Sequence, residues 1–120
     1  MHALHHARSS AKKWGGTPEE YLPFHEWFDE SKNHLSDVRH RALRHHSLGI
    51  QQLVEKFGRY FINSVGKTVP VQYIGEQHVM EDLTIIPTYA DWMRGMPLQK
   101  WMSNIGRYNP SGLKSKVTKI

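Results

Sequence analysis

The stretch VRHRALRHHSLGIQQLVEKF, Val38 to Phe57, decides the fold. Its apolar positions Leu43, Ile50, Leu53, Val54 and Phe57 recur at three- and four-residue spacing and stop at Gly58, the pattern of an amphipathic helix with a glycine C-cap. The spacing predicts one long central helix, capped by Ser36 or Asp37, against which the rest of the chain packs. At about 100° per residue the same stripe contains His46 and, one turn earlier, Arg39, so both are expected to point inward. His40 and His45 fall off the stripe and read as solvated or rim histidines, His45 facing a groove only if another helix packs beside it.

Upstream of this helix, residues 2–14 lack Gly and Pro and end at Gly15-Gly16, which predicts a short helix with a glycine cap. Thr17-Pro18-Glu19-Glu20 supplies an N-cap hydroxyl, a proline at the first helical position and a glutamate at N3. A helix starts there. Pro23 is expected to break it within a turn, with Pro23 to Asn33 restarting as a second segment that carries Phe24, Trp27 and Phe28 to the core. Downstream, Tyr60-Phe61-Ile62 and Val69 to Ile74 are β-prone runs joined through Asn63 to Lys67, a hairpin whose Pro70 strand lies at an edge. Gly75 then opens a helical stretch through Leu83, and Thr88 caps another through Met93. The fold class is α+β: a mostly helical single domain over residues 1–102 with a long central amphipathic helix and one β-hairpin.

Composition bounds the chemistry. A chain of 120 residues, 38% hydrophobic and 22% charged, makes one core without staples. Cys 0 excludes disulfides, thiolate metal sites and cysteine nucleophiles. The net charge of +5 suggests nucleic acid until it is split by position. Six basic residues and no acids follow Trp92, leaving ten basic against eleven acidic residues before it. The excess therefore belongs to residues 103–120, read as a basic, loosely ordered tail, through which weak nucleic-acid binding is conceivable. No stretch approaches the about 18 apolar residues of a membrane span, and the N-terminus lacks an apolar secretory core, so a soluble intracellular protein is expected.

His 9 is the unusual count. On a helix His2 faces His5 and His6, and His78 faces Glu81 and Asp82. Imidazole with carboxylate is a donor set that zinc, manganese or iron accepts, and without cysteine any transition-metal site here is built of nitrogen and oxygen. An inward His46 and Arg39 each require partners, for which Glu76, Glu81 and Asp82 are the acidic candidates. The bland alternative is that Arg39 and His46 clamp residues 76–82 onto the helix through buried ion pairs, with no ligand involved. No phosphate loop, nucleophile elbow or H-E-x-x-H pair is present.

Taken in order, His5 to Ser10 with Trp14-Gly15-Gly16, His25 to Lys32, Arg39 to His46 with Gly49-Ile50, Gly75 to His78, Glu81 to Leu83, Ile86 to Thr88 and Asp91-Trp92 resemble a family of small uncharacterised bacterial and phage proteins, a domain of unknown function. The likeness spans about residues 1–102 and brings no activity, cofactor or catalytic residue with it. It implies a soluble protein of the cytoplasm of a bacterial host. The family pattern has an Asp or similar turn residue where Val65 stands and a Gly where Thr84 stands, so the hairpin turn and the end of the helix before Thr84 are expected to differ here.

Two functions from different classes follow. In the first, His6, His46, His78 and Glu81 or Asp82 converge on a divalent metal; in a hydrolase version Glu76 or Glu81 acts as general base and Arg39 holds an anionic substrate. In the second, the protein is a non-catalytic phage-type interaction or inhibitor protein that binds a host protein, with an exposed aromatic or apolar patch near Trp101, Met102 and Tyr108 as its mark. The sequence does not decide the oligomeric state.

Overall fold

Glycine ends the first helix where the sequence places its stop. In the computed structural model, which describes residues 2–103, α1 runs Ala3–Trp14 and Gly15 closes it at φ 88, its N–H donating to the Ala11 carbonyl. α2 (Pro18–Asp29) opens on the expected reciprocal capping of Thr17 and Glu20, and Glu20 also accepts from Ser64 N–H (2.7 Å), tying this helix start to the hairpin turn. Pro23 does not break α2. Proline in a helix interior costs about 3 kcal/mol, but Tyr21, Phe24, His25, Trp27 and Phe28 are all buried from this one helix, and burial of each large apolar side chain returns about 1.5–3 kcal/mol.

The central helix is shorter than its periodicity predicts. Val38–Leu43 is a 3-10 segment and α3 runs only Ser47–Phe57, with His46 extended (φ -164) between them as the N-cap. The His46 ring makes the break possible: Nδ1 accepts from Gly49 N–H (3.0 Å), while Nε2 donates to the carbonyls of Ala42 and Leu43 (both 3.0 Å). A Cβ on Gly49 would collide with the Arg44 carbonyl, so glycine lets the chain fold back onto the helix start. Upstream of the break the helical phase no longer holds. Arg39 is an exposed side chain paired with Asp37 (2.8 Å) rather than an inward residue, and Leu43 is exposed. His40 and His45, expected at the rim, are both buried.

β1 (Tyr60–Ile62) and β2 (Thr68–Pro70) pair antiparallel with Phe61 opposite Val69. The turn is held by Asn63, whose side-chain oxygen accepts from Val65 N–H (3.1 Å) and Lys67 N–H (2.9 Å). The second β-prone run ends early, because α4 (Val71–Leu83) starts directly after Pro70. Val71, Ile74, Gly75, His78 and Val79 are buried at helical spacing, and that burial overrides the β propensity of Val71 to Ile74. Gly75 sits mid-helix, not at its start: a Cβ there would stand 3.1 Å from Leu53 and 3.2 Å from Ile50, so the missing side chain is what lets α4 approach α3. α4 ends on Thr84 in the left-handed region (φ 63), a conformation that favours glycine. α5 (Tyr89–Arg94) carries the expected Thr88 cap, reciprocated by Asp91.

α1, α2, α3 and α4 enclose an apolar core of Tyr21, Phe24, Phe28, Ile50, Leu53, Val69, Ile74 and Val79. The architecture is the expected α+β one, mostly helical with a single two-stranded sheet among the described residues. No helix among them is long and apolar enough to cross a membrane. The basic tail expected over 103–120 lies outside the described residues from 104 onward.

Candidate metal centre

Beside the apolar core lies a second, polar one. His6 from α1, His25 from α2, His45 from the segment before α3 and His78 from α4 are all fully buried, and Phe28 stacks on His78 at 4.6 Å between ring centroids. α2 and α4 each contribute a histidine with an aspartate four residues later, His25 with Asp29 and His78 with Asp82. Residues four apart share a helix face, so the packing of α2 against α4 turns both carboxylates toward the same point.

Asp82 is the hub. Its Oδ2 lies 3.0 Å from His45 Nε2 and 3.2 Å from His78 Nε2, and its Oδ1 lies 3.1 Å from His6 Nε2 and 3.8 Å from an Arg41 guanidinium nitrogen. Burial by itself would raise this carboxyl, but its contacts with His45, His6 and His78 outweigh it and hold Asp82 far below the usual carboxylate range. Asp29 faces the same nitrogens from α2, its Oδ1 3.5 Å from His78 Nε2 and 3.7 Å from His45 Nε2. Its burial too is outweighed, by the His78 contact, so Asp29 is also lowered.

His6 stands apart electrostatically from His25 and His45. His6 donates from Nδ1 to Glu81 (2.7 Å) and from Nε2 to Asp82 (3.1 Å), so burial pulls its pKa down but the two carboxylates more than reverse this and raise it. Protonated at both nitrogens, His6 clamps α1 to α4. Glu81 completes that clamp by accepting from Ser9 and Gln77, and its pKa is lowered, these bonds exceeding the effect of its own burial. Burial, then the nearby His78 and His6, depress His25 to about 2, and burial depresses His45 to about 4 despite its bond to Asp82. Both stay neutral at pH 7.

Asp29, His45, His78 and Asp82 can each offer one donor atom within 4.8 Å of the other three. Four donors around an ion at zinc bond lengths of about 2.0–2.2 Å stand about 3.3–3.5 Å apart in a tetrahedron. The four nitrogen-to-oxygen separations here are 3.0, 3.2, 3.5 and 3.7 Å, which bracket that edge. His78 Nε2 and Asp29 Oδ2 are buried without a hydrogen-bond partner, an arrangement that costs about 1–3 kcal/mol per atom unless something else bonds them. His6, His25 and His78 form a second group close enough for a metal, but both His6 nitrogens already serve carboxylates.

Of the residues singled out from sequence, His78 and Asp82 are donors in the four-atom cluster, while His6 and Glu81 border it as an ion pair. His46 is elsewhere: its ring is spent on the backbone at the α3 start, and burial lowers its pKa in spite of the two carbonyls it bonds. Glu76 lies two residues from His78, hence on another face, and accepts from Gln72 (3.0 Å). Arg39 is at the surface. Sequence reasoning missed His25, Asp29 and His45, although the repeated His-x-x-x-Asp spacing marks the first two. Ser10 Oγ lies 2.8 Å from His25 Nε2, but both residues are wholly buried, which denies that hydroxyl the access a nucleophile needs.

No curated protein and no solved structure matches the chain. A family model described as a domain of unknown function, DUF6915, matches residues 1–102, which takes in every element that builds this centre, and the chain belongs to that family.

Proposed function

We propose that this protein binds one divalent metal ion, zinc above manganese or iron, through Asp29, His45, His78 and Asp82. The observation that carries the reading is the set of four buried or nearly buried donor atoms within 4.8 Å of one another, one of them His78 Nε2, which no aligned hydrogen bond occupies. Two imidazoles and two carboxylates suit zinc, whose bonds to both fall near 2 Å. The ion would replace repulsion among the carboxylates by attraction and bond the histidine of α4 to the carboxylate of α2. Four protein ligands, three of them less than 2% exposed in their side chains, make a closed site. Closed sites stabilise folds, whereas hydrolytic ones keep a position for water, so the donor set supports a structural metal over the hydrolase reading. Glu76 and Arg39, the base and anion holder of that reading, stand outside the cluster.

Metal content of tag-free protein tests the proposal. About one equivalent of zinc in the wild type and in Glu76→Gln, lost in His78→Ala, is the expected result. Folded wild type without metal after zinc is supplied would remove it.

A second reading, an interaction protein, is supported by the exposed apolar residues after α4: Ile85, Tyr89, Met96, Leu98, Trp101 and Met102. It fits the bacterial cytoplasm that the family resemblance implies. Under it, Trp101→Ser with Met102→Ser keeps the metal and loses a crosslinked bacterial protein that the wild type retains; equal retention would refute it. Nucleic-acid binding through residues 103–120 predicts an affinity that falls steeply with salt and disappears on their removal.

A further inference from the structure

We propose that Ser10 and His25 are positioning residues that decide which nitrogen of His78 faces the two aspartates. The argument is one of hydrogen-bond polarity and starts at Gln77. Its side-chain nitrogen lies 2.9 Å from the His6 carbonyl and 3.0 Å from Glu81 Oε1, both acceptors, so that end of the amide is the NH2 group and Oε1 faces Ser10. Ser10 Oγ is 2.6 Å from Gln77 Oε1 and 3.1 Å from the His6 carbonyl. Neither can donate, so the single hydroxyl hydrogen goes to one of them, and Ser10 accepts from His25 Nε2–H at 2.8 Å.

His25 is wholly buried, and its two ring nitrogens meet only Ser10 Oγ and His78 Nδ1, with no carboxylate to hold a second ring proton, so the ring is neutral. A neutral ring that donates from Nε2 has a bare Nδ1. That atom lies 2.9 Å from His78 Nδ1, which must therefore carry the hydrogen between them. The relay leaves His78 Nε2 turned to Asp29 (3.5 Å) and Asp82 (3.2 Å). With Nδ1 committed to His25, Nε2 is the nitrogen left to face the two carboxylates, and it is the one a metal ion between them would take. The relay thus keeps Nδ1 occupied and reserves Nε2 for the ion, the role that outer hydrogen bonds play for metal-binding histidines in general. Ser10, His25 and His78 are all at 0% exposure, so no solvent exchange relaxes the polarity.

This inference rests on the metal reading for its purpose, but its chemistry is measurable without metal. Nitrogen-resolved NMR of the histidine rings in the full chain, with and without zinc, should find His25 protonated at Nε2 only and His78 protonated at Nδ1. Zinc competition should find Ser10→Ala about 10–100-fold weaker than wild type and Ser10→Thr, which keeps the hydroxyl, restored toward it. A His25 hydrogen on Nδ1, a bare His78 Nδ1, or a folded Ser10→Ala with wild-type affinity would overturn the relay. If Ser10→Ala does not fold, the wild-type ring spectrum decides alone. The expected protonation pattern in a wild type that binds no zinc would uphold the relay and sink the metal reading, so the two fail separately.

Discussion

Lowering the pH from 7 to 5 is expected to remove about 4 kcal/mol of stability from the metal-free protein. The figure comes from two buried rings. His25 is held at about 2 and His45 at about 4, whereas both titrate near 6.5 in the unfolded chain. Between those values the unfolded state binds a proton that the folded state does not, so stability falls as pH falls, by about 1.4 kcal/mol per pH unit for each ring once the unfolded form is mostly charged. Integrated from pH 7 to 5, that is about 2 kcal/mol per histidine. The carboxylates and His6 do not reverse this trend. His6 is raised, so its contribution is complete below 6.5 and disappears only as pH rises through its folded value. Asp29, Glu81 and Asp82 are lowered, so their stabilisation persists down to about pH 4.5 and is lost below it. His40 and His46 are lowered by burial and act in the same direction as His25 and His45. Urea unfolding at pH 7, 6 and 5 in the presence of a chelator reads the effect, and potentiometry should find about two protons or more taken up on unfolding at pH 5. Stability that is flat or rises on acidification would refute the buried, neutral assignment of these rings.

Other consequences are independent of that titration. Asp82→Asn should destabilise by about 3–5 kcal/mol in urea melts, because it leaves the His6 cation and the Arg41 guanidinium facing a neutral side chain; a change under about 1 kcal/mol would mean that Asp82 is not the hub. Thr84→Gly should stabilise by about 1 kcal/mol, since a β-branched residue occupies a left-handed helix cap, and a lower melting temperature would contradict the φ assigned there. Arg39→Ala should leave the melting temperature essentially unchanged, as befits an exposed pair with Asp37. A large drop would restore Arg39 to the interior.

Local signals in the chain were legible because they act within a few residues. The Gly15 stop, the Thr17 and Thr88 caps, the Phe61 to Val69 hairpin and the mostly helical class all rest on short-range backbone chemistry. Errors arose where tertiary burial outweighed a local rule: α2 runs through Pro23, and Val71 to Ile74 is helical. The break at His46 had a different cause. A histidine ring capping its own helix start, with Gly49 clearing the Arg44 carbonyl, leaves no trace in hydrophobic periodicity. That one break shifted the helical phase, sending Arg39 outward and bringing His45 into the site in place of His46. His78 and Asp82 were found from spacing within one helix, while Asp29 and His45 come from other segments and meet them only through packing.

The central claim is a metal ion held by Asp29, His45, His78 and Asp82. Anomalous diffraction at the zinc edge, from crystals of zinc-loaded, tag-free protein, tests it most directly. A single strong peak about 2.0–2.2 Å from Asp29 Oδ1, His45 Nε2, His78 Nε2 and Asp82 Oδ2 is the predicted result. A map with no peak among these atoms, or with zinc held instead by His6 and His25 or by surface histidines, would contradict it.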